Sequence, residues 1–356
     1  MKNWQETSRI VARIRELNAA DRRMALATVV SIAGSAYRRP GAKYLIEDSG
    51  DTLGGVSGGC LEADVRQVGL ELSPGAQPVL RRYDTGDGDT LPWALGLGCN
   101  GTVEIFIQPV TNATARLFDA IRTLLGRDRP FAVTTVIAGN GAGNAIALSE
   151  TERIAGDCQP ALGQTLARFA RRHLVNGSSG IDEMDGMRVF TETPRPPPWL
   201  LICGAGDDAQ PLCSIASIAG FRVAVADHRP AFVTATRFPH ANRLLETRPE
   251  NASIPDGTET YAVIMTHSLK HDRAWIQRLV GTALPYLGVL GPRQRTEDLM
   301  NTVPDAGDRV YGPIGLDLGG DGPEQVALSI VSEILSVRAG RTPGHLRDKE
   351  TAIHAV

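Results

Sequence analysis

The sequence predicts an α/β protein of two parts, a mixed α/β N-terminal domain followed by a Rossmann-like, doubly wound parallel sheet. Three observations predict it: strands alternating with helices after residue 198, a glycine turn behind the first of those strands, and the prolines 196–198 ahead of it. The length of 356 residues fits two domains at ~100–200 residues each. A content of 42% hydrophobic and 22% charged residues excludes wholesale disorder. With 37 basic and 40 acidic residues the net charge is −3, so there is no bulk electrostatic case for nucleic acid or an anionic membrane. The longest apolar runs, Trp199–Cys203 and Tyr261–Met265, fall far short of the ~20 residues that span a bilayer. Five cysteines without a CxxC pair suit neither a disulfide framework nor a zinc site. The opening MKNWQETSRIVARIREL lacks an apolar signal segment, and a cytoplasmic protein is expected.

In chain order, Ile10, Val11, Ile14 and Leu17 share one face of a helix over 4–19. The β-branched run Ala25–Ile32 reads as a strand, and Tyr44–Glu47 as a second, ended by the turn Asp48-Ser49-Gly50. Gly54–Leu72 is a glycine-rich loop running into a helix, and Val79–Tyr83 a strand. A long loop, Asp84–Gly101, precedes the strand Thr102–Pro109, the helix Thr114–Leu125 and the strand Phe131–Ala138. Residues 139–144 read as a turn, Leu166–Leu174 as a basic helix and Asn176–Gly186 as a polar, flexible loop. Arg195-Pro196-Pro197-Pro198 is a linker, because consecutive prolines join neither a helix nor an inner strand. The expected domains are therefore 1–195 and 196–340, with a polar tail over 341–356.

Beyond the linker the expected order is strand Trp199–Cys203, helix 207–219, and strands Arg222–Ala226, Arg243–Glu246 and Tyr261–Met265. Helix 271–284, strand Leu287–Leu290, helix 294–301 and helix Pro323–Val337 complete it. The turn Gly204-Ala205-Gly206-Asp207-Asp208-Ala209 has the G-x-G-x-x-A spacing of a dinucleotide fold. There Gly204 makes the tight turn, Gly206 lets a phosphate approach, and Ala209 allows close helix–strand packing. Asp227, 23 residues beyond Gly204, stands where an acid meets a ribose hydroxyl. Asp207 and Asp208 suit a helix N-terminus but repel a pyrophosphate, so a nucleotide or NAD(P) ligand and an empty relic of the fold both remain open. His267 follows a strand at the ligand-binding edge, either as a ligand contact or as a neighbour of the helix cap with His271; with no HExxH spacing, zinc is not expected.

In the first domain, Ser57-Gly58-Gly59-Cys60-Leu61-Glu62 opens a helix with Ser57 as its cap. Successive glycine amides form an anion-binding nest, and a helix N-terminus favours a thiolate at Cys60; the bland alternative is an inert, buried cysteine. Gly96-Leu97-Gly98-Cys99-Asn100-Gly101 is a second glycine-flanked cysteine, and two such loops suggest one shared site. Cys158, Cys203 and Cys213 read as structural. Arg38, Arg39 and Lys43 cluster closely enough to hold a phosphate, or else to form a solvated turn.

Together the segments Gly34–Ala42 (GSAYRRPGA), Gly54–Glu62, Gly96–Gly101, Gly204–Gly206, Thr266-His267 and Pro313–Gly319 resemble the xanthine dehydrogenase accessory-protein family, XdhC/CoxI. The resemblance covers the chain except about 110–190, and the SGGCLE loop is its most specific element. It implies a protein that binds molybdenum cofactor (molybdopterin) as cargo, protects it while its terminal sulfur is installed, and inserts it into a xanthine dehydrogenase-type molybdenum hydroxylase. It also implies a cysteine desulfurase as sulfur source, a homodimer, and Cys60 and Cys99 at the family's cysteine positions, with Cys60 a molybdenum contact. Asp207 stands where the family often has histidine, and Asn100 where glycine is common. The competing expectations are an NAD(P)-dependent oxidoreductase, for which His267 is the one acid/base candidate, and a scaffold whose Rossmann half only mediates dimerisation.

Overall fold

The computed structural model describes residues 2–34, 37–84, 101–150, 153–156, 158–255, 259–301, 303 and 310–349. The chain divides into two compact units, Lys2–Pro196 and Pro197–Asp348.

The N-terminal unit holds two antiparallel five-stranded sheets. The first contains β1 (Met24–Gly34), β2 (Lys43–Glu47), β3 (Thr52–Gly54), β4 (Val79–Asp84) and β5 (Gly101–Pro109), in the order β3-β2-β1-β5-β4. The second contains β6 (Phe131–Ala138), β7 (Ala145–Ser149), β8 (Arg153–Ala155), β9 (Gly180–Met184) and β10 (Met187–Glu192), in the order β8-β7-β6-β10-β9. Helix α1 (Lys2–Ala19) buries the stripe Trp4, Ile10, Ile14 and Leu17 against Phe118 and Ile121 of α3 (Asn112–Gly126) and Phe131 of β6. Each such fully buried aliphatic or aromatic side chain contributes ~1.5–3 kcal/mol relative to exposure. Thr111 and Thr114 form a reciprocal capping box at the start of α3. Helix α2 (Glu62–Glu71) lies on the first sheet through Val65, Val68 and Gly69. Any Cβ at Gly69 would stand 2.5 Å from Ile46, so glycine sets that approach.

One expectation fails here. Asn176–Gly186 is not a flexible loop. Helix α4 (Pro160–Asn176) ends at Gly177 in the left-handed region, and β9 pairs with β10 across Asp185-Gly186. Both turn residues have positive φ, +50° and +76°, as a two-residue hairpin of the right twist requires. The Asp-Gly pair was the sequence signal for it. Helix α4 also runs further in both directions than 166–174, with Pro160 at its first turn.

The C-terminal unit is a six-stranded, wholly parallel sheet: β11 (Trp199–Cys203), β12 (Arg222–Asp227), β13 (Arg243–Glu246), β14 (Thr260–Ile264), β15 (Leu287–Val289) and β16 (Val310–Tyr311). Their order, β13-β12-β11-β14-β15-β16, is the doubly wound pattern. Alternate residues of β11 face opposite layers. Leu200 and Ile202 pack on α5 (Ala209–Ala219) and α8 (Pro323–Ala339), while Leu201 and Cys203 pack on α6 (Leu269–Val280) and α7 (Arg293–Met300). Helix α5 starts two residues later than expected because 206–208 form a turn, and α6 stops before Gly281 rather than reaching 284. No described helix is long and apolar enough to cross a membrane.

Candidate functional site

In the N-terminal unit the Ser57–Cys60 loop connects β3 to α2. Ser57 does not cap the helix: α2 begins after Leu61, which makes no side-chain cap bond. Instead the Ser57 hydroxyl accepts the N–H groups of Gly59 and Leu61, each at 3.1 Å, and donates to the Glu62 carboxylate. The amides of Val56, Ser57 and Gly59 also converge on Glu62, at 3.1, 2.8 and 3.1 Å. The nest expected from the glycines is thus filled by a carboxylate of the chain itself. Partial burial opposes ionisation of Glu62, but the Ser57 hydroxyl and the loop amides outweigh it and hold its carboxyl below the usual range. Gly59, at φ +117°, needs glycine for its backbone conformation, and Gly58 lies against the Tyr37 ring. Cys60 is half-buried; its thiol donates to Ser57 Oγ at 3.5 Å and its body lies against the apolar cluster of Val56, Leu61 and Val65.

Cys99, with the rest of 85–100, lies outside the described residues. The basic cluster does not converge. Arg38 is ion-paired with Glu6 of α1, Lys43 is buried against Glu192 of β10 at 2.6 Å, and Arg39 is exposed with no ion pair among the described residues. A shared phosphate seat for Arg38 and Lys43 is therefore absent. Cys203 and Cys213 are buried, and burial pushes the Cys213 thiol up to about 11 and that of Cys203 well above its usual value.

In the C-terminal unit the strand order reverses between β11 and β14, which opens a crevice at the carboxyl ends of those strands. Gly204 has φ +118°, and a Cβ there would stand 2.5 Å from the Met265 carbonyl oxygen, so it serves turn and close approach together. Gly206 is not open to an incoming phosphate. A Cβ there would meet Asp208 Oδ1 at 2.7 Å and the His267 ring at 3.6 Å. His267, itself at φ +58°, pairs through Nε2 with Asp208 Oδ2 at 2.8 Å. Asp207 is exposed and pairs with Arg237 at 2.9 Å, and Arg237 also donates to the Ala205 carbonyl.

Asp227 is committed as well. Its buried carboxylate accepts the Ala205 amide at 2.9 Å and both Nε and Nη2 of Arg229 at 3.0 and 2.8 Å. Burial raises its pKa, yet the Arg229 guanidinium and the Ala205 amide prevail and lower it to about 2. The acid expected to meet a ribose instead ties the glycine turn to β12. Beside it lies a cavity of about 220 Å3, lined by Gly204, Asp227, His228, Arg229, Ser268 and His271 among others. His228 and Arg229 were not singled out from the sequence. The only signal for them is that Asp-His-Arg ends a strand at this edge. Among the described residues no three His, Cys, Asp or Glu side chains are placed to hold a metal ion.

Comparisons with known proteins agree on the kind of chain this is. The family model described as the XdhC Rossmann domain matches residues 200–334, and that of the XdhC and CoxI family matches residues 17–84. A Bacillus subtilis protein, named as a probable xanthine dehydrogenase subunit, is 34% identical over 315 residues, covering 88% of this chain and 92% of the relative. An Escherichia coli protein named molybdenum cofactor insertion chaperone PaoD is 23% identical over 320 residues, 88% of this chain and 83% of its own. A crystal structure from Bacillus halodurans, described as a xanthine dehydrogenase, superposes with a TM-score of 0.78 at 27% identity, covering 96% of this chain and 98% of that one. The parallel sheet with its reversed strand order, the glycine–cysteine loop ahead of α2, and a relative alike over nearly the whole length place the chain in the XdhC and CoxI family.

Proposed function

We propose that this protein serves a xanthine dehydrogenase-type molybdenum hydroxylase as an accessory factor. It takes up the molybdenum cofactor as cargo, shields it during sulfuration with sulfur from a cysteine desulfurase, and inserts it into the hydroxylase, working as a homodimer. The observation that carries this reading is the likeness, over 88% of the chain, to a protein named for molybdenum cofactor insertion. The half-buried Cys60 thiol supports it, since it supplies a soft ligand on a loop already held in shape by Ser57 and Glu62.

An NAD(P)-dependent oxidoreductase draws less support. Such a cofactor needs a phosphate seat over Gly206 and a free acid at the end of β12. Here Asp208 and His267 crowd Gly206, and Asp227 is bound to Ala205 and Arg229. The test is a strain lacking this protein. Its hydroxylase should accumulate folded but short of sulfurated, active cofactor; full molybdenum, sulfur and activity in the enzyme from that strain would overturn the reading.

A further inference from the structure

The two five-stranded sheets of the N-terminal unit enclose a second cavity, of about 30 Å3. The register of the strands places it. Thr28 of β1 lies opposite Lys43 of β2 and Phe106 of β5, and Leu26 lies opposite Gln108, so these side chains share one face of the first sheet. On the second sheet Thr135 lies opposite Phe190 and Val133 opposite Glu192, again on one face. Phe118 and Ile121 of α3 also line the cavity. Every residue around it except Thr135 is at least nine-tenths buried.

Four polar side chains line this space with hydrogen-bonding capacity unspent. The Lys43 ammonium has three N–H donors and uses two, toward Glu192 at 2.6 Å and the Gly41 carbonyl at 3.2 Å. Among the described residues Glu192 accepts through Oε2 alone. Thr28 is 9% exposed and Gln108 8%, and neither side chain has a hydrogen-bond partner among the described residues. A buried hydroxyl or amide in that state is costly, and a buried ion pair is stable only where its remaining donors and acceptors are met.

Size and charge together select the guest. An ordered water needs roughly 10–15 Å3 and two to four polar partners, so the cavity has room for about two. Lys43 and Glu192 together carry no net charge, which favours a neutral guest over a cation or an anion. The unpartnered hydroxyl and amide favour a polar guest over an apolar one. We infer that this cavity binds about two water molecules, which join Lys43 and Glu192 to Thr28 and Gln108 and complete a polar seam between the two sheets. The site is independent of the cofactor-insertion reading, because its occupancy is read from the folded chain without a client enzyme.

The test is a crystal structure of the full chain, determined with and without xenon pressure, together with urea unfolding of Thr28→Val and Gln108→Met. Both substitutions nearly keep the side-chain volume and remove polar atoms. Ordered water should lie within hydrogen-bond distance of Lys43 Nζ and of Thr28 or Gln108. Xenon, which enters dry apolar cavities, should stay out. Each variant should raise the unfolding equilibrium constant about fivefold, the equivalent of one hydrogen bond lost. A dry cavity reverses that sign, since removing an unpaired polar group from the interior then stabilises the fold. An empty or xenon-filled cavity, or a variant that unfolds no more readily than the wild type, would overturn the inference. The crystal measurement decides even where a variant does not fold.

Discussion

The Glu62 carboxylate accepts the amide of Gly59 at 3.1 Å, and with the Val56 and Ser57 amides it closes the glycine loop upon its own chain. Charge-assisted bonds of this kind contribute ~1.5–3 kcal/mol where removal leaves donors unpaired. Glu62→Ala should lower the unfolding free energy by about 2 kcal/mol and Glu62→Gln by less, read from urea midpoints. Because the folded carboxyl is held below its usual range, its contribution is full above the unfolded value near 4.3 and fades as pH falls below it. Equal midpoints in all three proteins would mean that the loop amides find water as readily.

Cys60 gives the sharpest test of cargo binding. Cys60→Ser keeps the loop, since a serine hydroxyl can still donate to Ser57, but it exchanges a soft ligand for a hard one. The variant should melt like the wild type and retain a small fraction of the molybdenum and pterin that the wild type keeps after anaerobic gel filtration. Unchanged retention would return Cys60 to a packing role against Val56 and Leu61.

Asp227 should make the C-terminal unit sensitive to acid. Its pKa is about 2 in the folded protein, against ~3.9 when unfolded, so the stabilisation is full above pH 4 and is lost as pH falls toward 2. The shift corresponds to about 2.5 kcal/mol. Asp227→Asn should be less stable at pH 7, and the gap to the wild type should narrow as the solution is acidified. A gap that stays constant from pH 7 to pH 2.5 would contradict the ion pair with Arg229.

The two glycines of the turn should differ in cost. An alanine Cβ at Gly204 runs into backbone atoms of Met265 and Thr266, at 2.5–3.0 Å, from a positive φ. At Gly206 it meets the carboxylate of Asp208, which can swing away from His267. Gly204→Ala should cost ~2–3 kcal/mol and Gly206→Ala less than about 1 kcal/mol. The reverse order in denaturant midpoints would mean that Gly206, not Gly204, sets the approach.

Much of this was legible in one dimension. Strands β6, β11 and β13 have the bounds that their apolar runs and flanking turns predict, because a buried strand writes its pattern into consecutive residues. The glycine turn and the acid at the end of β12 were legible too. Their engagement was not, since Ala205, Arg229 and Asp208 compete for those positions only once the chain is folded. The same holds for Arg38 and Lys43, which read as a basic cluster and are separated by partners at Glu6 and Glu192. The β9–β10 hairpin was missed for a different reason: polar residues at Asp182, Glu183 and Arg188 masked a turn whose Asp185-Gly186 pair had announced it.

The Lys43–Glu192 pair spans 149 positions of sequence. During synthesis at ~5–20 residues per second, Lys43 leaves the ribosome roughly 7–30 s before its counter-charge exists. A buried lysine without its carboxylate is costly, so β2 cannot settle into its final surroundings in that interval. The main neighbour of β1, the strand β5, is also still to come when residue 84 has been made. A chain stopped at residue 84 carries the whole matched stretch 17–84 and lacks both of these contacts. Excision of the cysteine loop as a fragment ending at residue 84 removes both contacts and should yield a peptide that aggregates rather than folds.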